Sequence, residues 1–335
     1  MIRFGIAGFG LHAVKRLMPG FAKAHACRVT ALSRRSGDQA RLSAAEYGIR
    51  NAFDSLEALC QSPEVDAIFV TTPNSCHLAD VLTAIRCRKP VLCEKPMGMN
   101  AAECKQMVEA ARAAGVLLGI AQVFRFEDTV NRFRDRISQN QVGRPLFARS
   151  EFCFPGRAHA RKWINDPAIA GGGPIADVGV HCIDALRFIL QDEVAFVTAR
   201  AQSDKESGGV ECSAILTLEF VRGTLATVLV STRADYRTPL EIIGESGILR
   251  ADNALSVEQP IQLQLRRNNE VVESESLSNH LAYARQVDMF AAAVEGNAVF
   301  PAPGEEGWQN QEALDAAFRS IRSGRTEPVT RVARG

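Results

Sequence analysis

Apolar positions in the first 120 residues fall into short dense runs, and longer segments with helical periodicity separate them. The runs "IRFGIAG" (2–8), "RVTALS" (28–33), "VDAIFVTT" (65–72), "PVLCEK" (90–95) and "VLLGIAQ" (116–122) read as strands. "VDAIFVTT" is continuously apolar, the pattern of a strand covered on both faces. Between the runs, His12 to about Ala26, "GDQARLSAAEYG", "SLEALCQS" with Ser55 as a cap, "HLADVLTAIRCRK" and "AAECKQMVEAARAAG" read as helices. Alternating elements joined by short loops predict a parallel, doubly wound sheet.

After about Phe126 the rhythm changes. An amphipathic helix (127–140) leads into a longer strand, "RPLFARSEFCF", then a glycine-rich loop and a helix from Pro174 to Leu190. Strand-like runs follow at 193–203, 210–220, 223–232, 238–244, 247–251 and 261–266. "RRNNEVVESES" reads as a polar turn, helices near 280–295 and 306–323 close the chain, and "TRVARG" reads as a mobile tail. The predicted fold class is α/β. A Rossmann doubly wound domain spans 1–124, and an α+β domain with an open, mostly antiparallel sheet spans 125–335 for substrate binding and oligomerisation.

Composition narrows this picture. With 335 residues, 46% hydrophobic, 23% charged and a net charge of +1, the chain has the balance of a soluble two-domain protein. Its charge offers nothing to nucleic acid or an acidic membrane, and no apolar run approaches the ~20 residues that span a bilayer. "MIRFGIAGFG" enters a strand with no leader pattern. Nine scattered cysteines form no CxxC pair, so neither a disulfide scaffold nor a zinc site is expected, and a reducing cytoplasm is the natural setting.

Candidate chemistry begins at "GIAGFGLHA". Gly8, Phe9, Gly10 and Leu11 form a loop between strand and helix, and Ala13 stands where a third small residue permits close packing. Such a loop cradles a pyrophosphate at a helix N-terminus. The second strand ends in Ser33, Arg34 and Arg35 with no carboxylate before Asp38. That set suits a ribose 2′-phosphate, so NADP(H) is expected over NAD(H), unless the arginines only solvate a loop. Ligands of open α/β sheets bind beyond the strand ends. Thr71, Thr72, Pro73, Asn74 and His77, and Glu94 with Lys95, stand there as cofactor-side candidates. The Lys95 ammonium could also hydrogen-bond a reacting hydroxyl.

In "GGGPIADVGVHCIDALRF", Asp177 and His181 share a helix face. The imidazole can exchange a substrate proton and the carboxylate can orient hydroxyls. Alternatively, this face simply meets water. Asp184 reads as structural. Arg161 and Trp163 precede this helix and suit a sugar, although Trp163 equally suits a core anchor. Arg125 could reach the cleft or form a salt bridge between domains. No partner is evident for His12, His25 or His280, and no metal is expected.

The five stretches "GIAGFGLHA", "VTTPNSCH", "VLCEKPMGMN", "GVLLGIAQVFRF" and "GGGPIADVGVHCIDAL", in this order, resemble the Gfo/Idh/MocA oxidoreductases over nearly the whole chain. The resemblance implies a Rossmann domain followed by a domain with an open sheet. It also implies a catalytic lysine at Lys95, often before a cis proline, and a catalytic aspartate and histidine at Asp177 and His181. The implied activity is an NADP-dependent oxidoreductase acting on a sugar or cyclic polyol. With the residue readings above, the expected substrate site comprises Lys95, Arg125, Arg161, Trp163, Asp177 and His181. A homodimer or homotetramer through the C-terminal sheet is expected. Relatives that sense without turnover, or that process glycosides with no net redox change, define the alternatives.

Overall fold

The structure, a computed structural model, describes residues 1–156 and 162–333. β1 (Ile2–Ala7) runs into the glycine loop and a helical segment that opens as a π turn (Ala13–Leu17) and ends as α1 (Met18–Phe21). Next come β2 (Cys27–Ser33), α2 (Gly37–Tyr47), β3 (Asn51–Phe53), α3 (Leu56–Gln61) and β4 (Ala67–Val70). They are followed by α4 (His77–Arg86), β5 (Val91–Cys93), α5 (Ala101–Ala114), β6 (Leu118–Ile120), α6 (Asp128–Ser138) and β7 (Pro145–Cys153). After α7 (Pro167–Ala170), a second π turn (Ile175–Gly179) continues into α8 (Val180–Leu190). The strands β8 (Val194–Gln202), β9 (Ser213–Phe220), β10 (Leu225–Ser231), β11 (Leu240–Gly244) and β12 (Ile248–Ala251) follow. β13 (Ile261–Arg267), β14 (Glu270–Leu277), α9 (Ala282–Val294), α10 (Gly304–Ser323) and β15 (Glu327–Pro328) complete the order.

The first six strands form one sheet in the order β3-β2-β1-β4-β5-β6, and every pairing is parallel. Phe4, Ile6, Ile68, Phe69 and Leu92 are fully covered, as strands with helices on both faces require. Ser36, Ser55 and Asn100 cap α2, α3 and α5 through their side chains, and left-handed Gly48 and Gly115 end α2 and α5. Strand order reverses between β1 and β4. Their carboxyl ends therefore open the crevice in which such sheets bind ligands.

By contacts the chain forms two compact units, Met1–Val123 with Leu281–Trp308, and Phe124–His280 with Gln309–Gly335. A single cut after residue 124 misses the return of 281–308 to the first unit. Aromatic packing drives that return. The Phe290 ring meets Phe300 edge-on at 5.2 Å and tilts against Phe4 at 5.9 Å. Ile120 also donates its amide to the Ala302 carbonyl at 2.8 Å.

The second unit is built on a nine-stranded sheet, β14-β13-β12-β11-β7-β10-β9-β8-β15. Only β7 and β10 pair in parallel. "RRNNEVVESES" is not a turn alone but the tip and second strand of the β13–β14 hairpin. Asn268 and Asn269 both take positive φ (50° and 65°), which a two-residue hairpin turn needs. Most of β14 is exposed, so the alternation that marks a strand is missing from its sequence. The segment expected to be a mobile tail is fastened at 330–332: the Gln309 side chain donates to the Thr330 carbonyl and accepts from the Val332 amide. Among the described residues, no helix is long and apolar enough to cross a membrane.

Candidate active site

The glycine loop is built for close approach. Gly8 has φ +82°, and a Cβ there would lie 2.7 Å from the Thr72 side chain and 2.9 Å from its backbone, so only glycine fits. The Gly8 and Phe9 amides both donate to the Ser33 carbonyl (3.1 and 3.2 Å), and the Thr71 hydroxyl donates to the carbonyls of Ala7 and Gly8 (3.0 and 2.9 Å). By contrast, a Cβ on Gly10 would meet only the Gly8 carbonyl, at 3.7 Å. Among the described residues, no acceptor takes the amides of Gly10 and Leu11. This open backbone before a helix fits a dinucleotide pyrophosphate. The Phe9 side chain is buried against Tyr47 at 5.4 Å and its amide is already bonded.

At the end of β2, Ser33 is buried and Arg34 donates to the Ser43 hydroxyl at 2.7 Å. Arg35 is exposed and has no hydrogen bond or ion pair among the described residues. The first carboxylate beyond, Asp38, pairs with Arg41. The strand end thus offers a guanidinium and no acid.

The loops after β4 and β5 are braced internally. Thr72 donates its hydroxyl to Asp80 at 2.6 Å, and Pro73 leads the 3₁₀ turn Asn74–Cys76 in which Asn74 is buried. His77, expected beside the cofactor, is 0% exposed. Its ring nitrogens lie 2.9 Å from the carbonyls of Pro96 and Thr72. It is a strut between the two loops, and no surface remains to touch a ligand. Burial pushes its pKa down, opposed by those carbonyls and by Glu94 and Asp80.

The Lys95–Pro96 bond is cis. Glu94 lies behind it, nearly buried, with both carboxylate oxygens used within the protein. His12 Nε2 donates to Oε1 at 2.9 Å, and the Lys95 amide donates to Oε2 at 3.2 Å. Glu94 thereby acts as an internal tie at the strand end. Burial raises its pKa, but His12 and Lys95 together outweigh that and the net direction is down. His12 showed no partner in the sequence because Glu94 stands 82 residues away. Lys95 itself is partly exposed at the strand end.

In the second unit, the helix carrying Asp177 and His181 is buried on all sides. From Ile175 to Leu190 only Asp177 and Phe188 escape full burial, which excludes a face that simply meets water. Its start is tightly held. Gly171 takes φ +74°, while a Cβ on Gly172 would lie 2.5 Å from Phe318 and one on Gly173 only 1.9 Å from the Glu211 carbonyl. Glu211, which sequence reasoning missed, accepts the amides of Gly173 and Ile175, both at 2.9 Å. Asp177 lines a cleft with Phe154, Asn165, Thr232 and Arg233. His181 is 7% exposed and lies against the rings of Phe124 (4.4 Å) and Phe152 (6.4 Å).

Of the two readings of Arg125, a cleft contact or a salt bridge, the structure shows a buried ion pair. The Arg125 Nε and Nη2 grip Asp184 at 2.8 and 2.7 Å, with side chains 4% and 2% exposed. Asp184 is structural, as expected. Trp163 is partly buried in the 3₁₀ turn Lys162–Asn165, next to cleft residues Ile164 and Asn165. Arg161 lies outside the described residues.

Comparison with known proteins matches residues 2–122 to the family model "Oxidoreductase family, NAD-binding Rossmann fold" and residues 130–250 to "GFO/IDH/MocA C-terminal domain". A 1,5-anhydro-D-fructose reductase of Ensifer adhaerens is 33% identical over 311 residues, 92% of each chain. A D-xylose 1-dehydrogenase (NADP(+)) of Haloferax volcanii is 30% identical, covering 96% of this chain and 98% of that one. The crystal structure of aldose-aldose oxidoreductase from Caulobacter crescentus, complexed with glycerol, superposes with a TM-score of 0.88 at 25% identity. That superposition covers 98% of this chain and 99% of the other.

Proposed function

The chain belongs to the GFO/IDH/MocA oxidoreductase family, and from that premise we propose that it moves a hydride between a nicotinamide cofactor and a carbinol or carbonyl carbon of a sugar or cyclic polyol. Lys95, Asp177 and His181 are the catalytic groups. The Lys95 ammonium hydrogen-bonds the substrate oxygen and stabilises its alkoxide character. A His181 ring nitrogen takes or returns the hydroxyl proton. Asp177 accepts from substrate hydroxyls and orients them. Trp163 offers a face to the sugar ring.

One observation carries this reading. Asp177 is the polar side chain that an otherwise buried helix presents to a cleft also lined by Asn165, Glu211, Thr232 and Arg233. The names of the relatives, a sugar reductase and a sugar dehydrogenase, agree with it. NADP(H) is the favoured cofactor, because Arg35 is unpaired at the end of β2 and no acid stands there to hold ribose hydroxyls. All nine cysteines are free, which suits a reducing cytoplasm. A second copy of the chain covers the open sheet face, giving a homodimer or homotetramer.

The likeness to an aldose-aldose oxidoreductase favours one second reading: exchange between two sugars over a cofactor that is never released. A panel of pyranoses, inositols and keto-sugars, assayed with NADP and NAD in both directions, separates the two. Absorbance change at 340 nm with free cofactor supports the dehydrogenase. Sugar conversion without that change supports the exchange. No conversion of any member with either cofactor would sink both.

A further inference from the structure

We propose that Glu211 is the positioning residue of the catalytic helix, its buried carboxylate holding the first turn in the place from which Asp177 and His181 act. The inference rests on the assignment of those two side chains to the reaction.

Helix N-termini leave amides without partners, and here a single carboxylate takes two of them. Oε2 accepts from Gly173 and Oε1 from Ile175, both at 2.9 Å, four and two residues before Asp177. The negative charge also suits the positive end of the helix dipole. The same residue holds the turn through its main chain. Its carbonyl is so close to Gly173 that an added Cβ would sit 1.9 Å away. The next residue is stitched to the sheet on both sides: the Cys212 amide donates to Gln202 at 2.7 Å, and its carbonyl accepts from Thr232 at 2.9 Å. Glu211 thus transmits the position of the sheet to the helix that carries the candidate chemistry. It also lines the cleft that Asp177 faces.

Stability alone does not account for a carboxylate here. Burial raises the Glu211 pKa, with the Gly173 and Ile175 amides opposing. A raised carboxyl pKa means the folded state binds the proton more readily than the unfolded chain. Its contribution to stability is therefore present at low pH and lost as the pH rises through the raised value, so the ionised form carries a cost at neutral pH. What the carboxylate supplies is two equivalent acceptors for two amides, those of Gly173 and Ile175 on either side of Pro174. A glutamine has one.

The test is Glu211→Gln, with Glu211→Ala as the larger perturbation. It combines steady-state kinetics on a sugar that the wild type converts with hydrogen exchange of the peptide spanning 170–181. If Glu211 positions the helix, kcat of Glu211→Gln falls by about 10- to 100-fold, as small misplacements of reacting groups do. KM and cofactor affinity stay near wild type, and the Gly173 and Ile175 amides exchange faster. Wild-type kcat in a folded Glu211→Gln protein would reduce Glu211 to a packing residue. A raised KM with unchanged kcat would make it a substrate contact instead; either result overturns the proposal. If the wild type converts no sugar, the functional reading fails separately. Exchange still decides the anchor, because unchanged protection in Glu211→Gln refutes it. Should Glu211→Ala fail to fold, Glu211→Gln carries the test alone.

Discussion

Lys95 stands on the tip of β5 with its neighbours tied down on each side: Glu94 to His12 and to the Lys95 amide, and Pro96 through its carbonyl to His77. The lysine is the partly exposed member of an otherwise buried turn. Glu94 gives this arrangement a pH signature. Its carboxyl ionises below the ordinary range, so its contribution to stability is complete above about pH 4.3 and is lost as the pH falls through the lowered value. Glu94→Gln should therefore unfold more easily in urea than the wild type at pH 7, by about 1.5–3 kcal/mol for hydrogen bonds to a charged group. The gap should close in acid; one that is the same at pH 7 and pH 3 would deny the carboxylate this role. The Lys95, Asp177 and His181 motifs were legible in the sequence because each is local. The partners His12–Glu94 and Gly173–Glu211 were not. They join positions 82 and 38 residues apart, and no periodicity records a side-chain contact made by folding.

Elements were legible wherever burial on one or both faces left a pattern. Five of the six parallel strands read as apolar runs, the short edge strand β3 did not, and the alternating strand β9 read as a half-covered one. β14 escaped because an exposed edge strand has no buried face to mark. The helix running into α8 was legible as a helix but not in its environment. Asp184 read as structural, but its partner was not legible: the structure pairs Asp184 with Arg125 and Arg187 with Glu193. Arg125→Met leaves the Asp184 charge buried with, among the described residues, only the longer 3.6 Å contact with Arg187. The substitution should destabilise the protein by about 3–5 kcal/mol, as loss of one partner from a buried pair does. Chemical unfolding measures this, and a loss under about 1 kcal/mol would place the pair among weak surface bridges.

At the scale of the molecule, the nine-stranded sheet leaves one face with Phe147, Phe196, Ile215 and Leu225 between 43% and 51% exposed. Register sets Phe147 beside Leu225 and Ile215 beside Leu229, so these side chains form one surface. A covering second copy predicts an oligomer in size-exclusion chromatography at micromolar concentration. Leu225→Glu should shift it to monomer by setting charge into an apolar contact; a wild type that is already monomeric would leave the face uncovered. The most direct test of the proposed chemistry is turnover of Lys95→Met on the best sugar of the panel, measured beside NADP binding. If Lys95 stabilises the reacting oxygen, turnover falls by roughly 100-fold or more while NADP affinity is retained. Wild-type turnover in that variant would contradict the assignment.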